Sequence, residues 1–360
     1  MIIKNIKLEN FRNYRDLNID FHPQVNLFLG ENAQGKTNLL EGIYITSIGK
    51  SFRTTRDKEL IYFDEEFCRV VVSYQGEVGG EVSIAIGRDG KRLGKINGTK
   101  IEKTSQLMNR VLAVIFSPED LKIVKEDPEK RRRFVDRELC QLKLSYYRNL
   151  NRYHKVLLQR NAYLKEEEIK EGALFIWDEY LIQYGQKLVE ERDEFVKKLD
   201  VISRDIHQGI TEGVEELKVR YAPSIHVGED YRKALREALE TDKMRGNTSR
   251  GPHRDDFEVF IDGKNVRSFG SQGQQRTAAL SIKLAEIQLI REEKAQSPIL
   301  LLDDVFSELD SSRQRYLIDY LEGLQIFITG ADISSEVIGS FPRGKTFFIQ
   351  GGKIMDVKER

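Results

Sequence analysis

One stretch of eight residues decides the fold: Gly30-Glu31-Asn32-Ala33-Gln34-Gly35-Lys36-Thr37. It satisfies the pattern G-x-x-x-x-G-K-[ST], in which glycines let backbone N–H groups wrap closely around phosphate oxygens. The apolar run Val25–Leu29 before it predicts a strand. Three apolar residues after it share one side of a predicted helix: Leu39, Leu40 and Ile43. This context favours a phosphate-binding loop over an ordinary glycine-containing turn.

The loop predicts a role for each of its polar side chains. Lys36 is expected to neutralise charge between the outer phosphates of ATP, and the hydroxyl of Thr37 to ligate Mg²⁺. The positive N-terminal end of the following helix adds to the attraction. The residues predicted to contact the nucleotide here are Gly30, Glu31, Asn32, Ala33, Gln34, Gly35, Lys36, Thr37 and Asn38.

A second strand ends in two acids. The run Ile299–Leu302 is apolar, and Asp303 and Asp304 follow it. In phosphate-loop proteins an acid at such a strand end holds Mg²⁺, so Asp303 is the predicted metal ligand. Asp304 is then placed to orient or deprotonate the attacking water, which makes Lys36, Asp303 and Asp304 the predicted catalytic set. The alternative is that these acids cap the next helix or lie in a solvated turn.

A second anion-binding segment is predicted at Gly270–Arg276, which opens a helix expected over 275–294. Small and amide side chains at a helix N-terminus favour anions. Ser271, Gly273 and Gln274 are therefore candidate nucleotide contacts, across a dimer if the first loop already holds one set of phosphates. A capped junction between loop and helix is the alternative.

The order of elements predicts an α/β fold with an inserted helical lobe. The first part of the chain reads as strands, the last third as strands alternating with helices, and residues 131–211 as helices. Two apolar stripes in the helical part predict an antiparallel hairpin of modest length. The predicted segments are an ATPase lobe over 1–116, a helical lobe over 117–275 and the rest of the ATPase lobe over 276–360.

Composition narrows the class of protein. Lys and Arg together number 58, as do Asp and Glu, so a nucleic-acid partner has to be sought in local patches. Cys68 and Cys140 form no disulfide or metal-binding pattern, which favours a reducing cytosol. The charged N-terminus does not resemble a signal peptide, and no run approaches the ~18 apolar residues of a membrane helix. We expect a soluble, cytoplasmic protein without a membrane partner.

Together these motifs resemble the ABC-type ATPase heads of the SMC and DNA-repair branch, with the SQGQQR segment as signature motif and Ser307–Asp310 as D-loop. Alone, Ser307–Asp310 is typical of a helix N-terminus. Blocks along nearly the whole chain resemble a single family, RecF. They are Asn10–Tyr14, Ser117–Leu121, Pro128–Asp136 and Gly251–Asp256.

The resemblance implies a mixed-sheet ATPase head without a long coiled coil, which dimerises around two ATP molecules. Ser271 and Gly273 would contact the γ-phosphate held by the other subunit. It also implies binding to single-strand/double-strand junctions of gapped DNA, and work with RecR and RecO to load RecA. Transporter ATPases carry Glu where this chain has Asp304, and His where it has Thr329 or Gly330, so slow hydrolysis suited to a switch is expected. The Q-loop glutamine is not placed.

Local basic patches are candidates for sequence-independent contacts with DNA phosphates. They lie after the phosphate loop, on a predicted hairpin, in an arginine run and on one helical face. The candidates are Arg53, Arg56, Lys91, Arg92, Lys95, Arg131, Arg132, Arg148 and Arg152. Solvated charges or helical ion pairs are the alternative for each of them, and Arg53 and Arg56 are also candidates for sensing the nucleotide.

The leading hypothesis is an ATP-driven dimerisation switch that binds DNA during recombinational repair and replication restart. The alternatives are a head-only chromosome-organising ATPase, the ATPase subunit of a membrane transporter, and a simple phosphate-loop kinase. The absent transporter-type signature and histidine disfavour the transporter, and a kinase has no use for the SQGQQR segment.

Overall fold

The computed structural model describes residues 1–77, 79–108, 110–120, 123–166, 168, 171–331, 333–341 and 343–360. They form two compact units, Met1–Leu121 with Ile290–Arg360, and Lys122–Leu289. The first unit is thus built from the two ends of the chain, and the second is inserted between them. The division differs from the predicted segments, because its second boundary lies inside one continuous helix and not at residue 275.

A six-stranded sheet carries the phosphate-binding loop of the first unit. Its order is β15-β14-β3-β13-β12-β8, and all neighbours are parallel except β14 and β15. Strands β12 and β13 are buried along their whole length, which explains their apolar sequences. The strands are β3 (Val25–Leu29), β8 (Ala113–Phe116), β12 (Ile299–Asp303), β13 (Ile326–Gly330), β14 (Gly344–Gln350) and β15 (Lys353–Glu359).

An antiparallel sheet of order β2-β1-β4-β5-β6-β7 completes the first unit. Buried and exposed residues alternate along β4, as expected for a sheet with one face on a core. Its buried face shares one hydrophobic core with helix α1 (Lys36–Ile48) and the parallel sheet. The strands are β1 (Ile2–Phe11), β2 (Tyr14–Asp20), β4 (Phe67–Gln75), β5 (Gly80–Gly87), β6 (Arg92–Ile96) and β7 (Thr99–Lys100).

Helix α1 of the first unit packs against strands β8, β12 and β13 of the parallel sheet. Leu39, Leu40 and Ile43 of α1 are fully buried, as the sequence pattern predicts. No helix among the described residues combines the length and apolar character needed to cross a bilayer. The helices are α1 (Lys36–Ile48), α8 (Ser311–Tyr320) and α9 (Ser335–Ser340).

The second unit is mainly helical and includes a small antiparallel sheet of order β11-β10-β9. Its helices are α2 (Pro128–Leu142), α3 (Leu144–Tyr163), α4 (Glu171–Ile210), α5 (Tyr231–Arg245), α6 (Val266–Phe269) and α7 (Gln272–Lys294), which continues into the first unit. Its strands are β9 (Leu217–Ala222), β10 (Asp256–Ile261) and β11 (Lys264–Asn265).

Helices α3 and α4 form the predicted antiparallel hairpin. The guanidinium of Arg152 lies over the ring of Tyr184, and Arg160 pairs with Asp178, so partner numbers fall along α4 as they rise along α3. At 20 residues, α3 is about 30 Å long. This confirms an inserted helical lobe, and the described residues contain no extended coiled coil.

Other predicted bounds differ from the structure by a few residues. Helix α7 begins at Gln272 and not at residue 275. Strand β9, helix α5 and strand β15 have no counterpart among the predicted elements. The end of one predicted block, Ser117–Leu121, falls outside the described residues.

Candidate nucleotide-binding site

The phosphate-binding loop lies between the carboxyl end of β3 and the start of α1. A Cβ atom at Gly30 would lie 2.2 Å from the carbonyl oxygen of Ile349, so no other residue fits there. Gly35 has φ +114°, and a Cβ there would lie 2.6 Å from the side-chain nitrogen of Asn13. Both glycines of the motif are therefore required by close approach, and Gly35 also by its backbone conformation.

Residues from both ends of the chain hold the loop in place. Asn13 Nδ2 donates to the carbonyl oxygen of Gln34 at 3.0 Å, and the hydroxyl of Tyr14 donates to the carbonyl oxygen of Gly35 at 3.0 Å. The turn between β14 and β15 adds two more bonds, since Gly351 N donates to Gln34 Oε1 at 2.6 Å and Gly352 N to Gln34 O at 3.0 Å. The side chain of Gln34 thus anchors the loop, a role that the sequence motif does not reveal.

The ammonium group of Lys36 lies inside the loop. Its Nζ donates to the carbonyl oxygens of Gly30 at 2.6 Å and Glu31 at 2.7 Å. Burial lowers the pKa of Lys36, and the negative charges of Asp304 and Asp303 oppose that shift. The cation therefore sits where a phosphate-binding loop needs it, held by weak acceptors that an anion can replace.

The carboxylate of Asp303 connects the loop to two parallel strands. Its Oδ1 accepts from the hydroxyl of Thr37 at 2.7 Å and from that of Thr329 at 2.8 Å. Thr329 is opposite Asp303 in the register of β13 and β12. The predicted pair of Mg²⁺ ligands, Thr37 and Asp303, is thus in direct contact. Sequence reasoning missed Thr329, which it noted only as a residue standing in place of a histidine.

Asp304 follows in a left-handed backbone conformation, with φ +53°. Its N–H donates to the hydroxyl of Thr329 at 3.1 Å and to the carbonyl oxygen of the same residue at 3.2 Å. Burial raises the pKa of the Asp304 carboxyl, and the charge of Asp303 adds to that shift. A hydrogen bond from Ser307 and the charge of Lys36 oppose it. The carboxyl is thus tuned towards accepting a proton.

The segment Ser307–Asp310 has structural partners of its own. The hydroxyl of Ser307 donates to the carbonyl oxygen of Asp304 at 2.7 Å. Asp310 is the N-cap of α8, because its side chain accepts from the N–H of Arg313 at 3.0 Å. Asp310 therefore has the capping role raised as an alternative, whereas Asp304 lies at the N-cap position of the short 3-10 helix Val305–Glu308 without a side-chain capping bond.

Behind the loop, Asn38 and Arg53 are tied into one network. Asn38 Nδ2 donates to Asn13 Oδ1 at 2.9 Å, and Arg53 donates to Asn38 Oδ1 at 2.7 Å. Arg53 also lies 3.6 Å from the fully buried carboxylate of Glu41, which Arg12 grips with two hydrogen bonds of 2.8 and 2.9 Å. The side chain of Asn38 therefore binds Asn13, which in turn holds the loop at Gln34, and Arg53 is held next to Asn38.

The signature segment belongs to the second unit and forms a capping box at the start of α7. Ser271 Oγ accepts from the N–H of Gln274 at 3.1 Å, and Gln274 Oε1 accepts from the N–H of Ser271 at 2.9 Å. Gln274 also donates to Glu215 at 3.0 Å. The alternative of a capped junction is thus realised, while Ser271 remains exposed.

Most of the predicted DNA contacts are exposed, and several of these have carboxylate partners. The exposed ones are Arg53, Arg56, Lys91, Arg92, Lys95, Arg148 and Arg152. Arg56 pairs with Glu59 at 3.7 Å, Lys91 with Asp89 at 2.9 Å, and Arg92 with Asp57. Arg132 is half-buried and donates to the carbonyl oxygen of Asp255 at 2.7 Å.

Arg131 contradicts its predicted role. It is 4% exposed and pairs with Asp256 through two bonds of 2.7 and 2.8 Å, so it has no surface group to offer a phosphate. The reason is the insertion of its side chain between α2 and β10, which the arginine run does not reveal.

Comparison with known proteins gives consistent results. Residues 2–333 match the family model described as "RecF/RecN/SMC N terminal domain". A protein of Clostridium acetobutylicum named "DNA replication and repair protein RecF" is 44% identical over 366 aligned residues, covering 99% of this chain and 100% of that protein. A protein of Alkaliphilus oremlandii with the same name is 45% identical, covering 91% and 93%.

Solved structures agree. One described as the "recombination mediator protein RecF-ATP in RecFOR pathway" has a TM-score of 0.91 and 36% identity, covering 100% of this chain and 97% of that one. An Smc head domain from Pyrococcus furiosus has a TM-score of 0.57 at 16% identity, covering 100% and 96%, and shares the fold alone.

Proposed function

This chain belongs to the RecF family, and from that premise we propose that it is an ATP-hydrolysing switch that binds DNA during recombinational repair. One observation carries the proposal: Lys36 lies inside the phosphate loop while Thr37 meets Asp303 beside it. This arrangement provides a cation for phosphates next to an oxygen pair for a metal. The relative solved as RecF-ATP supports ATP as the ligand.

The site fits Mg²⁺ as well as ATP. A hydroxyl and a carboxylate are hard oxygen ligands, and Mg²⁺ keeps several waters, so two protein ligands suffice. Thr37 and Asp303 would hold the ion, which would supply charge neutralisation for the outer phosphates. Lys36 would exchange the carbonyl oxygens of Gly30 and Glu31 for phosphate oxygens.

Asp304 is the residue we propose to orient and deprotonate the attacking water. Its raised pKa brings the carboxylate closer to the basicity that a general base needs. Asp is one methylene shorter than the Glu of transporter ATPases, so we propose slow hydrolysis that resets the switch.

Dimerisation is the proposed output of ATP binding. Ser271, Gly273 and Gln274 lie at the N-terminus of α7, where the helix dipole favours an anion. In the proposed dimer they contact the γ-phosphate bound by the other subunit. ATP then links two copies of the chain.

DNA is the proposed partner of the dimer, at single-strand/double-strand junctions of gapped molecules and without sequence preference. The family supports RecR and RecO as protein partners and the loading of RecA as the outcome. The exposed cations Arg56, Lys91 and Lys95 of the first unit are the proposed phosphate contacts, and Arg56 and Lys91 would exchange their surface partners Glu59 and Asp89 for phosphates.

Ser271→Arg tests the switch. The variant should bind ATP normally and fail to dimerise with ATP, measured by light scattering after size-exclusion chromatography. Ser268→Arg is a matched control three residues away on an exposed position, and it should still dimerise. If Ser271→Arg dimerises with ATP as the wild type does, the proposed dimer linked through ATP is wrong.

A salt titration tests the DNA partner. Gapped DNA should bind more tightly than blunt duplex, and ATP should strengthen its binding. Affinity that is indifferent to both ATP and DNA structure would remove the repair role. A chromosome-organising ATPase would instead dimerise with ATP and bind duplex without preference for gaps.

A further inference from the structure

Helix α3 has an unusual charge distribution. Its 20 residues include Arg148, Arg152, Lys155 and Arg160 and no Asp or Glu, although acids and bases are equally numerous in the whole chain. The one fully buried cation, Arg160, is neutralised by Asp178 and Asp242 from elsewhere. All charged side chains on the exposed side of the helix are therefore basic.

The exposed cations of α3 also differ from those farther along α4 in lacking carboxylate partners. Lys197 pairs with Asp193 at 2.7 Å and Lys198 with Glu194 at 3.3 Å. Within the described part of the chain, neither Arg148 nor Lys155 is joined to a carboxylate by an ion pair. A surface helix normally neutralises such charges by i,i+4 pairs, so these cations are available to an external anion.

Aromatic rings lie beside these cations on α4. The rings of Tyr180 and Tyr184 are parallel within 8°, with centroids 6.1 Å apart. Tyr180 is 46% exposed, and Tyr184 is partly exposed. The guanidinium of Arg152 lies 5.8 Å from the centroid of Tyr184, which joins the basic face of α3 to the aromatic face of α4.

The neighbouring charges on α4 are mostly compatible with an anion. Lys187 is exposed and follows Tyr180 and Tyr184 on the same helical face. The acid farther along this face is Glu191, which lies 4.0 Å from Lys143. Glu179 is already paired with Arg232.

Five side chains make up what we call the α3–α4 surface: Arg148, Arg152, Lys155, Tyr180 and Tyr184. We propose that the α3–α4 surface binds single-stranded nucleic acid, its three cations neutralising phosphates and its two rings stacking against bases. Cations alone would serve duplex and single strand alike, whereas bases are free to stack on tyrosine only in a single strand. The inference rests on the proposed function only in taking DNA as the ligand, and it requires no ATP.

The test measures fluorescence anisotropy of labelled oligothymidylate of about 20 nucleotides, longer than a typical single-strand site, and of blunt duplex, without ATP. The double variant Tyr180→Ala/Tyr184→Ala should bind oligothymidylate at least about 5-fold more weakly per ring and bind duplex normally. Tyr180→Phe/Tyr184→Phe keeps the stacking faces and should bind like the wild type. Phe63→Ala removes an exposed ring of the first unit and should have no effect.

A salt series tests the cations. Lys155→Ala should reduce the slope of log K against log salt for oligothymidylate by about 0.7, because one phosphate contact is lost. Lys197→Ala, which removes a paired cation of α4, should leave the slope unchanged.

Two results would overturn the inference. One is oligothymidylate affinity within twofold of the wild type in the double alanine variant. That result would show that the two rings do not stack on bases and would make them candidates for contact with a protein partner. The other is an equal loss for duplex, which would indicate phosphate binding without stacking. If ATP changes neither dimerisation nor DNA binding while the alanine variant still binds oligothymidylate more weakly, the proposed ATP switch is wrong. The inference about the α3–α4 surface is then still supported.

Discussion

Replacing Thr329 by valine removes one hydroxyl from the centre of the candidate site and little else. Thr329 is 2% exposed, and its hydroxyl donates to Asp303 Oδ1 at 2.8 Å. Valine has nearly the same shape, so the core packing is retained. The N–H of Asp304 keeps a partner, because the backbone oxygen of Thr329 also accepts from it, at 3.2 Å.

The expected magnitude follows from the partners of Asp303. A hydrogen bond to an ionised acceptor contributes about 1.5–3 kcal/mol, which is a factor of about 10 to 150. Without nucleotide, the hydroxyl of Thr37 still donates to Asp303 Oδ1 at 2.7 Å, so Thr329→Val loses only part of this hydrogen-bond free energy. Once Thr37 turns to Mg²⁺ as proposed, Thr329 is the remaining hydroxyl that orients Asp303. The loss should therefore appear mainly in Mg²⁺-ATP affinity, at about 10-fold or more.

Calorimetric titration with ATP, with and without Mg²⁺, measures this effect. Thr329→Val should weaken binding only when Mg²⁺ is present, and Thr329→Ser, which keeps the hydroxyl, should bind like the wild type. The melting temperature of both variants should stay close to that of the wild type. An equal loss without Mg²⁺, or Thr329→Val affinity within twofold of the wild type, would refute the reasoning.

Four further outcomes are expected. Gly30→Ala should abolish ATP binding in equilibrium dialysis, because its methyl group would meet the carbonyl oxygen of Ile349. Arg160→Ala should lower the free energy of unfolding by about 3–5 kcal/mol in urea, since it leaves the fully buried carboxylate of Asp242 and the partly buried one of Asp178 without their cation. ATP turnover should rise with pH through the raised pKa of Asp304, and Asp304→Asn should remove that dependence along with turnover. Burial lowers the pKa of His253 to about 4, so the unfolded chain binds a proton below about pH 6.5 that the folded chain refuses. The free energy of unfolding should then fall by about 1.4 kcal/mol per pH unit from about pH 6 towards 4, and less in His253→Gln.

The parts of the site that sequence predicts are those encoded by neighbouring residues. Gly30–Thr37 and the strand ending in Asp303 are local patterns, and the structure brings Thr37 and Asp303 together as expected. The blocks behind the RecF resemblance are also local patterns, ordered along the chain, and the family match confirms that resemblance. Chemistry that depends on consecutive residues can therefore be predicted from the amino-acid sequence alone.

The remaining features depend on pairings between distant residues. Thr329 reaches Asp303 only because β13 lies beside β12 in that register. Arg131 is buried by Asp256, which is 125 residues away in sequence. No periodicity or motif around either residue specifies such a partner, since strand order and insertion are set by the packing of the whole unit.

Residues much later in the sequence support the phosphate loop, and this has a consequence for folding during synthesis. Strand β3 leaves the ribosome early, but its neighbours β13 and β14 and the turn at Gly351–Gly352 that holds Gln34 are made about 300 residues later. A nascent chain therefore carries an incomplete loop until those later residues have been made. We expect it to acquire ATP, and with it any tendency to pair with a second copy, only after Gly352 has left the ribosome.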